Sequence, residues 1–368
     1  MHKALFIGSQ IYRGSRYGER HPLSIERVPA ATDLARLLGW LPDALYRTSP
    51  RARPLALQAF HDAGYIAALQ RAETEGAVDA DTRTRYGLGT SSNPVFPEMY
   101  RRPATAVGGG LLAAELVMSG AARAVHNPGG GTHHALHDRA SGFCFLNEPV
   151  LTILHLLRLG AQRVVYIDID AHHGDGVEIA FHGSRQVRVI SLHEARRWPF
   201  TGALGDDGGG AAFNLPLPRD FNDSEFRHAL EAFILPATQA FRPDAIFLQC
   251  GADALSEDPL SHLSLSNNSH FRAVRALSAL GAGLIVSGGG GYNPWSVARC
   301  WAGVWATLSG QRIPDTLPDA ASSYLRALQW HRKLGPAPDL ISTLRDRSRE
   351  GPVRDEVRAG VAALRKRL

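Results

Sequence analysis

Short runs of β-branched and apolar residues recur along this chain at 4–7, 122–126, 164–169, 187–192, 245–249 and 284–287. Between them lie longer stretches with helical spacing, at 104–118, 146–159, 224–241, 269–280 and 295–308. A strand buried on both faces reads as an almost continuous apolar run, and strands alternating with helices form a largely parallel sheet. The pattern predicts a single domain over residues 1–368, a three-layer α/β/α architecture with a mostly parallel central sheet. Segments 81–100 and 196–210, rich in Gly, Pro and polar residues, are expected to be long loops around a pocket mouth.

Open parallel sheets build their sites from the loops that follow strand C-termini. Here those loops, at 127–134, 168–176, 191–210, 249–259 and 287–293, hold every polar constellation of note. Composition changes this picture little: 44% hydrophobic and 20% charged residues in 368 describe a globular chain with ample core. The net charge of +5 is spread out, and the basic run at 345–367 is interleaved with Asp346, Glu350, Asp355 and Glu356. That reads as a solvated, ion-paired face and argues against nucleic acid as a partner. Cys144, Cys250 and Cys300 show no Cys-x-x-Cys pairing, which favours a reducing, cytoplasmic location over a disulfide framework. The apolar run before Gly8 is too short for a signal segment and nothing approaches membrane-span length, so no membrane partner is expected.

Candidate chemistry concentrates in Asp168-Ile169-Asp170-Ala171-His172-His173-Gly174-Asp175-Gly176, which follows a strand-like run. Strand alternation would project Asp168, Asp170 and His172 from one face, a chelating edge of two carboxylates and an imidazole. Mixed oxygen and nitrogen donors suit Zn²⁺ better than Ca²⁺. A helix-capping turn accounts for Asp175 but leaves charged residues on a strand built for burial unexplained.

Three further loops complete the set. Gly129-Gly130-Gly131-Thr132-His133-His134 offers adjacent imidazoles, which could be ligands, proton carriers or surface residues. If Asp168 and Asp175 each accept from one ring, both tautomers are fixed and both pKa values rise toward working pH. Leu248-Gln249-Cys250-Gly251-Ala252-Asp253 ends another strand in a carboxylate; with Asp170 and His172 it would leave open positions, as in a catalytic zinc site. Ser287-Gly288-Gly289-Gly290-Gly291-Tyr292-Asn293-Pro294 lacks the spaced glycines and lysine of nucleotide loops. Its glycines allow close backbone approach, and Tyr292 could hydrogen-bond a developing oxyanion.

Taken with Ser141-Gly142-Phe143-Cys144-Phe145-Leu146-Asn147-Glu148, Ser191-Leu192-His193 and the 251–259 segment, these motifs resemble the zinc-dependent histone deacetylase family of the arginase-deacetylase superfamily, in its bacterial amidohydrolase-like form. The resemblance implies the arginase-deacetylase fold and hydrolysis of N-acyl-lysine, acetylated or longer-chain, in proteins or peptides by metal-activated water. By similarity, Asp170, His172 and Asp253 bind Zn²⁺. His134, oriented by Asp175, carries the proton; His133, paired with Asp168, gives electrostatic support; Tyr292 binds the carbonyl oxygen. Phe143, Trp198, Leu260, Gly142 and Gly290 would line the acyl-lysine tunnel, with Trp198 standing where relatives usually carry Phe. A K⁺ ion is implied at Asp168, Asp170, His172, Ser191 and Leu192, and a second monovalent site at Phe181, Ser184, Val187 and Phe213.

The chain departs from the family at the rim. Where many relatives carry an acidic residue that grips the substrate backbone, residues 87–99 offer Ser91, Ser92, Asn93 and Glu98 without a clear match. The alternative partner is therefore an acetylated polyamine or another small N-acyl amine on the same scaffold. An arginase-like dimanganese hydrolase would need further ligands for a second metal. A non-catalytic acyl-lysine binding module would be expected to lose a ligand, a catalytic histidine or Tyr292, and all are retained.

Overall fold

Eight strands form one sheet in the computed structural model, which describes residues 2–18, 21–331 and 335–368. They are β1 (His2–Gly8), β2 (Tyr46–Thr48), β3 (Ala122–Asn127), β4 (Val164–Asp168), β5 (Val187–Glu194), β6 (Ala212–Leu217), β7 (Ala245–Gln249) and β8 (Gly283–Ser287). Their spatial order is β2-β1-β3-β8-β7-β4-β5-β6, and every neighbouring pair is parallel.

Alternate residues of each central strand feed two separate cores. Val165, Ile167, Ile246, Leu248, Leu284 and Val286 join the core under helices Val28–Leu37, Asn267–Ser278 and Pro294–Ser309. Val164, Tyr166, Ala245, Phe247 and Ile285 join the core under helices Arg101–Met118 and Glu148–Arg158. Burial on both faces explains why these strands lack polar alternation. It also places the sheet as the middle of three layers, the arginase-deacetylase architecture.

Two strands, and a helix inside an expected loop, depart from the sequence pattern for local reasons. β2 is only three residues long. β6 is an edge strand carrying Asn214 and Pro216, where a proline withholds no central ladder bond. Within the expected loop at 81–100, Ala80–Tyr86 is helical because the Asp79 side chain caps it, accepting from Thr82 N at 2.6 Å. In the expected helix at 224–241, residues Leu230–Ile234 widen into a π turn just before Pro236, whose ring and missing N–H disrupt regular winding.

Candidate active site

The four strands at the centre of the sheet, β3, β8, β7 and β4, release their C-terminal loops into one space. β4 ends at Asp168, so strand alternation does not extend to His172 as the sequence implied. Beyond it the chain folds on its own carboxylates: Asp170 N donates to Asp168 Oδ1 at 3.0 Å, and His172 N to Asp170 Oδ1 at 3.0 Å. The Asp168 carboxylate is taken up by Asp170 N, His133 and Tyr166, while the Asp170 and His172 side chains converge on Asp253 from β7's loop.

Asp170, His172 and Asp253 each present one ligand atom within 4.8 Å of the others. His172 Nδ1 lies 2.9 Å from Asp253 Oδ2 and 3.3 Å from Asp170 Oδ1. The outer oxygens are fixed by backbone: Ala171 N donates to Asp253 Oδ1 at 2.9 Å, and Gly290 N to Asp170 Oδ2 at 2.6 Å. Glycine is required around this cradle, since a Cβ on Gly251 would sit 2.0 Å from Asp170 Oδ2 and one on Gly290 1.9 Å from Asp253 Oδ2. The field here favours positive charge. Burial opposes a charged His172, yet its bonds to Asp170 and Asp253 push its pKa up to about 10. Burial and the neighbouring Asp170 raise Asp253 to about 6, while Asp170 stays low because His133 and His172 overcome its burial. Two carboxylates and an imidazole, dry and held for a cation, fit a divalent ion with mixed donors.

Beside this cluster stand His133 and His134, both buried, with ring centroids 3.9 Å apart. His133 Nδ1 meets Asp168 Oδ2 at 2.7 Å, and His134 Nδ1 meets Asp175 Oδ1 at 2.7 Å. Their pKa values do not rise together. Burial lowers His133, but Asp168 and Asp170 reverse this and carry it to about 9. For His134, burial and then the charge on His133 outweigh the hydrogen bond it donates to Asp175 and hold it down at about 4. The sequence expectation fails for His134 because the depth of burial and a second cationic ring were not visible in it.

Tyr292 closes the opposite wall. Its backbone N donates to Asp258 Oδ2 at 2.7 Å, and the next residue, Asn293, caps helix Pro294–Ser309 by accepting from Trp295 N at 3.1 Å. Burial, then Asp253 and Asp170, raise the phenol well above its ordinary range, so it remains a donor. Tyr292, His134, His172, Gly142 and Phe143 line both an inner chamber and the cleft that opens to solvent. Gly290 faces the inner chamber; Trp198 and Leu260 face the outer cleft. The Trp198 ring stands edge-on to His134 at 4.6 Å, and a Cβ on Gly142 would lie 2.3 Å from the indole.

Ser191 and Leu192 lie on β5, where Ser191 is the register partner of Asp168 and, farther along, Glu194 N donates to Ala171 O at 2.9 Å, between Asp170 and His172. Of the second monovalent set, Phe181, Ser184 and Val187 are joined locally: Ser184 N donates to Phe181 O at 3.0 Å and Val187 N to Ser184 Oγ at 3.1 Å. Phe213 sits on β6, paired with Ile190.

Several supporting groups were missed in the sequence. Tyr166 Oη donates to Asp168 Oδ2 at 2.6 Å, completing the partner set behind His133. Fully buried Glu148 accepts from Gly131 N at 2.8 Å and Ser287 Oγ at 3.0 Å, tying two glycine loops together, and burial pushes its pKa up to about 7. Arg27, which precedes helix Val28–Leu37, donates to Gly289 O at 2.6 Å, 262 positions away. Glu148 and Asp258 fell inside recognised motifs; Tyr166 and Arg27 carried no local signal.

Comparison with known proteins identifies the family. The family model described as Histone deacetylase domain matches residues 21–308, and the chain belongs to the histone deacetylase family. It is similar to the acetoin utilization protein AcuC of Bacillus subtilis (strain 168), with 37% identity over 322 residues, 84% of this chain and 83% of that protein. It is 36% identical over 309 residues to putative histone deacetylase 2 of Caenorhabditis elegans, covering 82% of this chain but 61% of that one. Among solved structures, an HDAC homolog complexed with SAHA superposes with a TM-score of 0.93 at 34% identity, covering 98% of this chain and 99% of that one. An HDAC homolog from Aquifex aeolicus gives 0.92 at 35% identity, with 98% and 99% covered. Family membership makes the chain a deacetylase-type hydrolase. No helix among the described residues is long and apolar enough to cross a membrane.

Proposed function

We propose that the chain is a zinc-dependent deacylase, a single catalytic domain that removes acetyl or longer acyl groups from lysine side chains of proteins or peptides. One observation carries this: a three-donor cation cradle shares a buried chamber with two carboxylate-backed imidazoles and a protonated tyrosine. Zn²⁺ held by Asp170, His172 and Asp253 would supply Lewis-acid polarisation of water and of the acyl carbonyl.

The remaining chemistry falls to the chain's own side chains. The bond to Asp175 occupies His134 Nδ1, leaving Nε2 to take the proton of the attacking water and return it to the leaving amine. His133, drawn toward the charged form by Asp168, supports the negative charge that develops. Tyr292 donates from its hydroxyl to the former carbonyl oxygen. Phe143, Trp198, Leu260, Gly142 and Gly290 enclose the acyl-lysine stem, and the apolar walls exclude water from the reacting bond. K⁺ would sit where Asp168, Asp170, His172, Ser191 and Leu192 adjoin, at the paired ends of β4 and β5.

The test profiles purified protein of measured zinc content against acetyl-lysine peptides, longer acyl-lysine peptides and acetylated polyamines. Zinc-dependent turnover of the peptides supports the assignment; turnover confined to polyamines replaces the substrate class. Among the described residues one cluster of three ligands is present, which favours a mononuclear centre over a dimanganese one.

A further inference from the structure

The loop that carries Trp198 displays more than a tunnel wall. Of the large hydrophobic side chains exposed among the described residues, the two aromatics are Trp198 at 39% and Phe200 at 74%, and both stand in this loop. Arg196 and Phe200 both hold left-handed backbone, at φ 59° and 65°, a conformation that costs non-glycine residues energy and persists where the surroundings impose it. The surroundings are well defined. Thr201 Oγ1 lies 2.8 Å from His173 Nδ1, Gly202 O lies 2.9 Å from His193 Nε2, and Arg197 is gripped by buried Glu194. The loop is thus anchored on both sides of Trp198, while its exposed residues are held at the cleft mouth.

Charge at this mouth has one sign. The described residues lining the outer cleft include Arg196 and Arg197 and no Asp or Glu. Glu194 neutralises Arg197, whereas exposed Arg196 makes no ion pair among the described residues. On the opposite side Ser92 lines the cleft, its carbonyl 3.2 Å from His21 Nε2. A cationic polyamine entering here would meet an unpaired guanidinium and no compensating carboxylate.

Resting on the deacylase assignment, we infer that the rim selects acyl-lysine in protein segments carrying an Asp or Glu within two residues of the modified lysine. With the lysine stem in the tunnel, flanking residues lie over the mouth, where Phe200 and Trp198 offer apolar contact and Arg196 offers a partner for a carboxylate. Arg196 acts as a specificity-determining residue, remote from the reacting bond.

The experiment compares kcat/KM for one acetyl-lysine peptide series whose flanking residues are Glu, Gln or Lys, and for acetylspermidine, at low and high salt. The expected Glu-to-Lys ratio is roughly three- to tenfold at low salt, as for exposed ion pairs, and it shrinks as salt screens the pair. Arg196→Lys retains the preference and Arg196→Glu inverts it. A ratio near one in the native protein, a ratio unmoved by Arg196→Glu, or faster turnover of acetylspermidine than of every peptide overturns the inference. Affinities of the same peptides for the Tyr292→Phe variant, read by fluorescence anisotropy, should show the same ordering. Absence of turnover for all peptides in zinc-loaded protein would defeat the deacylase assignment, and the anisotropy ordering then decides the rim on its own.

Discussion

His133 and His134 share a peptide bond and their tilted rings lie 3.9 Å apart, yet they give their Nδ1 atoms to different carboxylates, Asp168 and Asp175. Asp168 is wholly buried and also accepts from Tyr166, whereas Asp175 opens the helix Asp175–Ala180. The rings are driven apart electrostatically, His133 toward the charged form and His134 toward the neutral one. Titratable neighbours pushed in opposite directions mark a division between a proton acceptor and a charge stabiliser.

That division is testable by truncation. His134→Ala should lower kcat by a factor on the order of 10² or more, with zinc content and peptide affinity retained, because only the proton carrier is lost. Steady-state kinetics alongside metal analysis checks this, and a near-normal kcat contradicts the role.

Tyr292→Phe removes the hydroxyl and keeps the ring packed edge-on to Phe143, 5.9 Å between centroids. Loss of an oxyanion donor costs about 10²–10³ in kcat, and the effect should fall on kcat with KM little changed. A variant impaired only in KM would assign Tyr292 to substrate binding instead.

Trp198 narrows the cleft where it meets His134 and Gly142. Trp198→Phe should shift the preference toward bulkier acyl chains, measured as the ratio of kcat/KM for longer-acyl and acetyl-lysine peptides. An unchanged ratio would remove Trp198 from the selectivity of the tunnel.

Acid should weaken the fold through histidines buried neutral. Burial lowers His61 and His126 from the ordinary 6.5 to about 4. The unfolded chain binds their protons first, so the stability they contribute is complete above about pH 6.5 and is lost as pH falls toward 4. The urea midpoint should drop across that window, and His61→Gln should flatten the slope. A midpoint insensitive to pH there would contradict the burial of these rings as neutral groups.

Much of this was legible in the chain because the sheet is buried on both faces, so β3, β4, β5, β7 and β8 announce themselves as apolar runs ending in polar loops. Asp170, His172, Asp253, His133, His134 and Tyr292 all stand in those loops, and the structure brings them to one chamber. What stayed hidden depended on where strands end and on how deeply side chains are buried. The different partners of the Asp168 and Asp170 side chains follow from where β4 stops, and the neutral state of His134 follows from its depth and from His133. Glu148 and Asp258 act through hydrogen bonds to residues 17 and 34 positions away, which only folding brings near, whereas the bond from Tyr166 to Asp168 is local but is read only once both side chains are seen to share a face.

The central claim is that Asp170, His172 and Asp253 hold one divalent cation. Metal analysis of the purified protein, with Asp253→Asn as comparison, tests it most directly. One zinc equivalent per chain in the native protein, largely absent from Asp253→Asn, is the expected result. Two equivalents per chain, or a full equivalent retained by Asp253→Asn, would contradict it.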